Sequence, residues 1–160
     1  MERNIYGRWN MKKLYIFLLM FIFFLCGCSR GIPFQVRELT NITLLNNQDQ
    51  DKIIFLSEYQ QFTDYIDQLN SKYNLIGSFL THLEAYDEIF FTDYYLIIIY
   101  FCSSSSIRAK VNRVTIIENT ASVELKIRRK RVSSDDLNQR CYFVEIEKTY
   151  DIIDASVMYN

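Results

Sequence analysis

One segment of the chain spaces its apolar residues as an amphipathic helix does. Three or four positions separate these residues, with polar residues between them: Tyr59, Phe62, Ile66 and Leu69. Ser57, a residue type that caps helix N-termini, precedes the segment. The pattern predicts a helix that ends near Asn70 and packs its apolar stripe on the core.

Patterns typical of β-strands fill most of the remaining sequence. Residues 94–101 form a continuous aromatic and β-branched run, which predicts a central strand buried on both faces. Residues 107–116 and 121–128 alternate apolar with polar side chains, and the polar residues between them predict a hairpin turn. The alternation changes phase at Asn112 and Arg113, as it does at a β-bulge.

Weaker patterns complete the predicted fold. They indicate strands at 36–45, 53–56 and 141–147, a short helix or turn at 84–91, a serine turn at 103–106 and a polar loop at 133–139. The expected fold class is therefore α+β, with a mostly antiparallel β-sheet and one main amphipathic helix packed on it.

Composition narrows the class of protein. The chain has 160 residues, of which 49% are hydrophobic, and a net charge of −1. This mixture excludes a disordered or collagen-like chain, and the length suggests one domain. We do not expect a nucleic-acid partner, because nucleic-acid phosphates favour a clustered, strongly basic surface.

The N-terminal region differs from the rest of the chain. Lys12 and Lys13 precede twelve apolar residues, 14–25. That run matches the apolar region of a secretory signal, whereas a membrane-spanning helix needs about 20 such residues. The residues that follow, Leu25-Cys26-Gly27-Cys28, resemble the lipobox of bacterial lipoproteins.

This resemblance implies a lipid anchor. It implies transfer of acyl chains to the Cys28 sulfur, cleavage after Gly27, and attachment to the extracytoplasmic face of the bacterial cell membrane. An uncleaved signal anchor or an ordinary cleaved signal is the alternative. The expected organisation is a lipoprotein signal peptide at 1–27, a lipidated tether at 28–35 and an α+β domain at 36–160. Without the signal peptide, 14 basic and 18 acidic residues remain, a net charge of about −4.

Several blocks of the exported part resemble PrcB-like lipoprotein domains. The blocks are Tyr86-Asp-Glu-Ile-Phe-Phe91, the apolar strand at 95–99, the serine turn, the basic strand at 107–114, and residues 136–148 with Glu145-Ile-Glu-Lys148. Ser105 replaces a glycine of that pattern, and Arg140 replaces a tryptophan. The resemblance implies a non-catalytic, lipid-anchored module, in a family named for a subunit that supports a secreted protease complex.

Residues with catalytic or metal-binding chemistry are few. His82 is the only histidine, so multi-histidine metal sites are excluded, and we expect it to have a surface or packing role. Paired acids occur at Asp87-Glu88 and Asp135-Asp136, and we expect them to be solvated caps. The sequence predicts no catalytic residue, no metal site and no cofactor.

Two cysteines remain in the exported part besides Cys28. Cys102 follows the predicted central strand, and Cys141 begins the last predicted strand, so the two could be neighbours. A disulfide between them would close a loop of 38 residues and stabilise the domain by about 3–4 kcal/mol. Two reduced thiols are the alternative.

The strongest charge cluster comprises Lys126, Arg128, Arg129, Lys130 and Arg131. Strand alternation places these residues on both faces of a strand end. They can form a solvated edge that resists aggregation, or contact anionic lipid headgroups or an acidic partner.

These features together predict a lipid-anchored envelope or surface lipoprotein. Its exported domain is expected to bind or stabilise another envelope or secreted protein without catalysing a reaction. A domain that binds a small ligand or a peptide is the alternative, and a hydrolase is a third.

Overall fold

A computed structural model describes residues 31–40, 52–72, 77–129 and 137–160. The predicted signal peptide, Cys28, Lys130, Arg131 and the Asp135-Asp136 pair lie outside these residues. The described strands are β1 (Gln35–Thr40), β2 (Ile53–Leu56), β3 (Tyr94–Ser104), β4 (Ile107–Ile117), β5 (Thr120–Arg129), β6 (Leu137–Glu147) and β7 (Asp154–Tyr159). The described helices are α1 (Tyr59–Lys72), α2 (Gly77–Leu83) and α3 (Phe90–Asp93).

The strands form two sheets, which pack face to face. Sheet A has the strand order β1-β6-β3-β2 and is antiparallel throughout, whereas sheet B has the order β4-β5-β7 and joins β5 to β7 in parallel. The helices cover one face of sheet A, and sheet B covers the other. The α+β prediction is confirmed, but the structure has two sheets where the sequence pattern predicted one.

The two faces of β3 explain the need for two covering layers. Leu96, Ile98 and Tyr100 belong to the core beneath the helices. The alternate residues, Ile97 and Ile99, belong to the core between the sheets. A strand that is apolar on both faces must be covered on both, because exposed apolar surface is unfavourable in water. The prediction of a central, doubly buried strand is confirmed.

The β4–β5 hairpin also matches its prediction. Its register shifts between Val111 and Arg113, which is the predicted bulge. The turn residues Glu118 and Asn119 have φ angles of 48° and 61°. Two consecutive positive φ angles are typical of a type I′ turn, whose twist suits a two-residue hairpin connection.

Other element boundaries differ from the sequence-based ones. Helix α1 continues to Lys72, and its start is fixed by the backbone N–H of Ser57, which donates to Gln61 Oε1 (2.8 Å). Strand β6 begins at Leu137, within the predicted polar loop, and strand β7 was not predicted. Both strands are held by pairing with partners distant in sequence, which local patterns do not reveal.

The first described residues already belong to the folded domain. The backbone N–H of Ile32 donates to the carbonyl of Val114 in β4 (2.8 Å). Ile32 and Phe34 also pack against the core between the sheets. The contacts of the domain therefore include Ile32 and Phe34, which lie within the predicted tether at 28–35. None of the helices in the described residues is long and apolar enough to cross a membrane.

Candidate functional site

The outer face of the β4–β5 hairpin carries two cross-strand pairs of cations. Arg108 lies opposite Arg128, and Lys110 lies opposite Lys126. All four side chains are exposed, while the alternate residues of both strands point into the core between the sheets. We call these four residues the cationic face.

The arrangement of the cationic face is unfavourable in isolation. Like charges directly opposite each other on a sheet destabilise it. Among the described residues, no carboxylate forms an ion pair with any of the four cations. The fold therefore carries a local electrostatic cost that an external anion would relieve.

A cation next to this face, Arg113, forms an ion pair with a carboxylate of the same hairpin. Arg113 Nε lies 3.4 Å from Glu124 Oε2. Hydrogen bonds from the side chains of Asn160 and Asn112, and then the charges of Arg113 and Lys126, lower the pKa of Glu124. The Arg113–Glu124 cross-strand pair of the hairpin thus joins a cation to a carboxylate, whereas the two pairs of the cationic face join cation to cation.

A second internal pair lies on sheet A. Arg140 Nη1 is 2.9 Å from Glu38 Oε1, and the Arg140 side chain is only 13% exposed. Its Nε is buried and has no hydrogen-bond partner among the residues that the structure describes. The neighbouring Tyr142 donates to the carbonyl of Ala109 (2.8 Å), and burial, followed by the charge of Glu38, raises the pKa of Tyr142 to about 12.

The cationic face and the Arg140–Glu38 pair line one cleft. Its volume is about 590 Å³, and Ala109 and Asn112 complete the lining. This volume is within the range of sites that bind small molecules or headgroups. Five cations and one carboxylate line it, so it favours anions.

A different groove opens in the helix layer. Its volume is about 370 Å³, and apolar side chains of α1 and the α2–α3 region form much of its lining: Tyr59, Phe62, Ile66, Leu83 and Tyr86. Asp67, Glu84 and Asp87 also line it. An apolar lining with acidic groups suits a peptide that has apolar and basic side chains.

A buried polar network joins two blocks of the PrcB-like resemblance. The Tyr86 hydroxyl donates to Glu145 Oε1 (3.0 Å), and Arg37 Nε lies 2.8 Å from the same oxygen. Burial, followed by the Glu145 charge, raises the pKa of Tyr86 well above its ordinary value. Lys148 Nζ donates to the carbonyl of Phe91 (2.6 Å). These contacts hold the helix layer on sheet A and indicate a structural role.

The two cysteines are thiols and are not joined to each other. Cys141 lies opposite Tyr100, and Cys102 lies opposite Gln139. The two cysteines are thus diagonal neighbours, a relationship that places Cα atoms about 7–8 Å apart, beyond the usual range for a disulfide. The register separates the two cysteines by two residues, which favours the reduced alternative.

The basic cluster predicted from the sequence is divided by the fold. Lys126 and Arg128 belong to the cationic face, whereas Arg129 is exposed, lies opposite Ile107 and belongs to the other face of the strand. Sequence reasoning missed Arg108 and Lys110 as their partners. The predicted turn and bulge together specify the register, so this signal was present.

The remaining candidates do not form a catalytic constellation among the described residues. His82 is half-buried in the last turn of α2. Asp87 Oδ1 accepts a hydrogen bond from the backbone N–H of Phe90 (2.8 Å), so it caps a turn, and Glu88 is exposed. No group of three or more histidine, cysteine or acidic residues in the described parts of the chain is placed to hold a metal ion.

Comparisons with known proteins identify no relative of this chain. No family model matches the chain, and no curated protein or solved structure matches it significantly. The similarity to PrcB-like domains therefore rests on the sequence blocks named above and stays a prediction.

Proposed function

We propose that this protein is a lipid-anchored module of the bacterial cell envelope that binds another envelope or secreted protein without catalysis. The groove in the helix layer is the observation that carries the proposal. Tyr59, which lines it, is 38% exposed, and Ile66 of α1, which also lines it, is half-buried. Partly exposed aromatic and aliphatic side chains around a concave surface are typical of protein-binding sites.

The charges of the groove favour a basic partner. Asp67, Glu84 and Asp87 are exposed, and no basic residue among those that the structure describes lines the groove. A segment with apolar side chains flanked by lysine or arginine complements this surface, since opposite charges steer association and suppress wrong partners. The proposed occupant is therefore a basic, amphipathic segment of the partner protein.

Site-specific cross-linking in native membranes tests the groove. A photoreactive residue at Thr63, which lines the groove, is expected to capture one protein through a basic segment that mass spectrometry identifies. The double substitution Asp67→Lys and Glu84→Lys should reduce the cross-link at least tenfold. Glu118→Lys, which reverses an acid at the hairpin turn, is the matched control and should leave it unchanged. Equal cross-linking in all three proteins contradicts the proposal.

The anchor is tested separately. Cells fed a palmitate analogue should label the wild-type protein, and Cys28→Ser should abolish the label. Mass spectrometry should place the N-terminus of the mature protein at an acylated Cys28. An unmodified N-terminus elsewhere contradicts the lipid anchor.

A further inference from the structure

The charges of this domain are separated across its layers. Residues 57–93, which include all three described helices, carry seven carboxylates and one lysine, a net charge of −6. Residues 107–129, which form the β4–β5 hairpin, carry six basic and two acidic residues, a net charge of +4. Because the helices and sheet B cover opposite faces of sheet A, the acidic and basic layers lie on opposite sides of the domain.

A polarised domain takes a preferred orientation beside a charged surface. Basic residues near a membrane surface that contains anionic phospholipids are attracted to it within about a Debye length, 8–10 Å at physiological salt. The acidic helix layer is repelled under the same conditions. Both effects turn the cationic face toward the lipid.

The attachment of the chain favours the same orientation. Gly31 follows Cys28 by three positions, which span at most about 11 Å in an extended chain. The next residue, Ile32, is hydrogen-bonded to Val114 of β4, the strand that also carries Arg108 and Lys110. An acylated Cys28 therefore holds the β4 edge within a short distance of the headgroups.

We propose that the cationic face docks on anionic phospholipid headgroups, so that sheet B lies toward the membrane and the groove in the helix layer points away from it. This inference rests on the lipid anchor of the proposed function. Phosphate oxygens neutralise these cations as the Glu124 carboxylate neutralises Arg113. They sit between the cations of each cross-strand pair and relieve the repulsion between them.

A lysine footprint of the full chain reconstituted in vesicles tests the orientation. A water-soluble acylating reagent modifies exposed lysines, and mass spectrometry compares Lys110 and Lys126 with Lys52, an exposed lysine next to β2 at an edge of sheet A. Vesicles that contain 30% phosphatidylglycerol should protect Lys110 and Lys126 at least fivefold relative to pure phosphatidylcholine vesicles. Lys52 should react equally in both, and 0.5 M NaCl should remove most of the protection.

Two variants make the test specific. The double substitution Arg108→Gln and Arg128→Gln leaves both lysines in place for the readout and should abolish their protection. Arg129→Gln removes a neighbouring charge from the other face and should preserve it. Equal reactivity of Lys110 and Lys126 in the two kinds of vesicle overturns the inference.

The remaining outcomes separate the inference from its rivals. Protection by 5 mM inorganic phosphate or glycerol phosphate, equal in both kinds of vesicle, would show a site for free anions and would overturn membrane docking. The palmitate label on Cys28 is scored on the same preparations. A labelled protein without lysine protection refutes the docking alone, whereas an unlabelled protein refutes the proposed anchor.

Discussion

The Tyr86 hydroxyl donates a hydrogen bond to the buried carboxylate of Glu145, 59 residues further along the chain. The contact joins the segment before α3 to β6 and thus fastens the helix layer to sheet A. Because a buried carboxylate requires donors, this single hydroxyl contributes more to stability than its area suggests.

Removing that hydroxyl should destabilise the domain. We expect Tyr86→Phe to lower the free energy of unfolding by about 1–3 kcal/mol, because the buried Glu145 carboxylate then loses a hydrogen-bond donor and keeps its ion pair with Arg37. Urea unfolding followed by circular dichroism measures the change. Tyr59→Phe, at a partly exposed ring, should change stability by less than about 0.5 kcal/mol. Equal effects of the two substitutions would contradict a special role for Tyr86.

Charge reversal on the cationic face should separate stability from binding. We expect Arg128→Glu to raise the free energy of unfolding by about 0.2–1 kcal/mol, because an attractive pair with Arg108 replaces a repulsive one. The same substitution should weaken lysine protection on anionic vesicles. Thermal or urea unfolding at low and high salt measures the gain, which salt should reduce. A loss of stability would show that the paired cations are not under strain.

The hairpin turn leaves room for stabilisation. Glu118 and Asn119 both have positive φ angles, which glycine and asparagine adopt at lower cost than glutamate. We expect Glu118→Asn, which keeps the hydrogen bond from Asn119 to Asp151, to raise the free energy of unfolding by about 0.5–1 kcal/mol. Urea unfolding is the measurement. An unchanged or lower stability would contradict the type I′ geometry.

The two thiols should differ in reactivity. Burial raises the pKa of the Cys141 thiol well above its ordinary value, so its thiolate fraction stays small at pH 8 and pH 9. Cys102 is half-buried and should be alkylated first by iodoacetamide. Peptide mapping after timed alkylation of the native protein measures both rates. A disulfide between the two, detected without reductant, would overturn the register of β3 and β6.

Alkaline pH should destabilise the domain, because Tyr142 holds its proton more tightly in the folded protein than in the unfolded chain. The pKa of Tyr142 is raised to about 12 in the folded protein, against about 10 in an unfolded chain. The unfolded state therefore loses its proton first, and the stabilisation, present below pH 10, is lost as pH rises toward 12. The lost stability is on the order of 2–3 kcal/mol. Tyr142→Phe should flatten this dependence in unfolding curves measured from pH 9 to 12.

Local sequence patterns identified the elements whose pattern is itself local. The apolar spacing of α1, the continuous run of β3 and the turn and bulge of the β4–β5 hairpin all specify their conformation within a few residues. Strand β7 and the first residues of β6 were missed because partners distant in sequence define them. Asp154–Tyr159 carries too little alternation to identify a strand before β5 is known as its parallel neighbour.

The candidate sites follow the same division. The charge run from Lys126 to Arg131 was visible in the sequence, and alternation placed it on both faces of a strand, but its cross-strand partners were not identified. Only the cross-strand register shows that Arg108 and Lys110 join Lys126 and Arg128 and that Arg129 does not. The helix-layer groove combines α1 with residues 83–87, and no spacing rule connects those two segments.

The pairing of β1 with β6 sets a limit on how early the domain can fold. Glu38 and Arg140, which bridge the two strands, are 102 residues apart in sequence. Sheet A therefore cannot be completed until nearly the whole chain has emerged, and such non-local pairing slows folding. We expect a chain interrupted before residue 137 to lack the central neighbour of β1 and β3. If the chain is exported as proposed, the late arrival of β6 would keep it unfolded while it crosses the membrane.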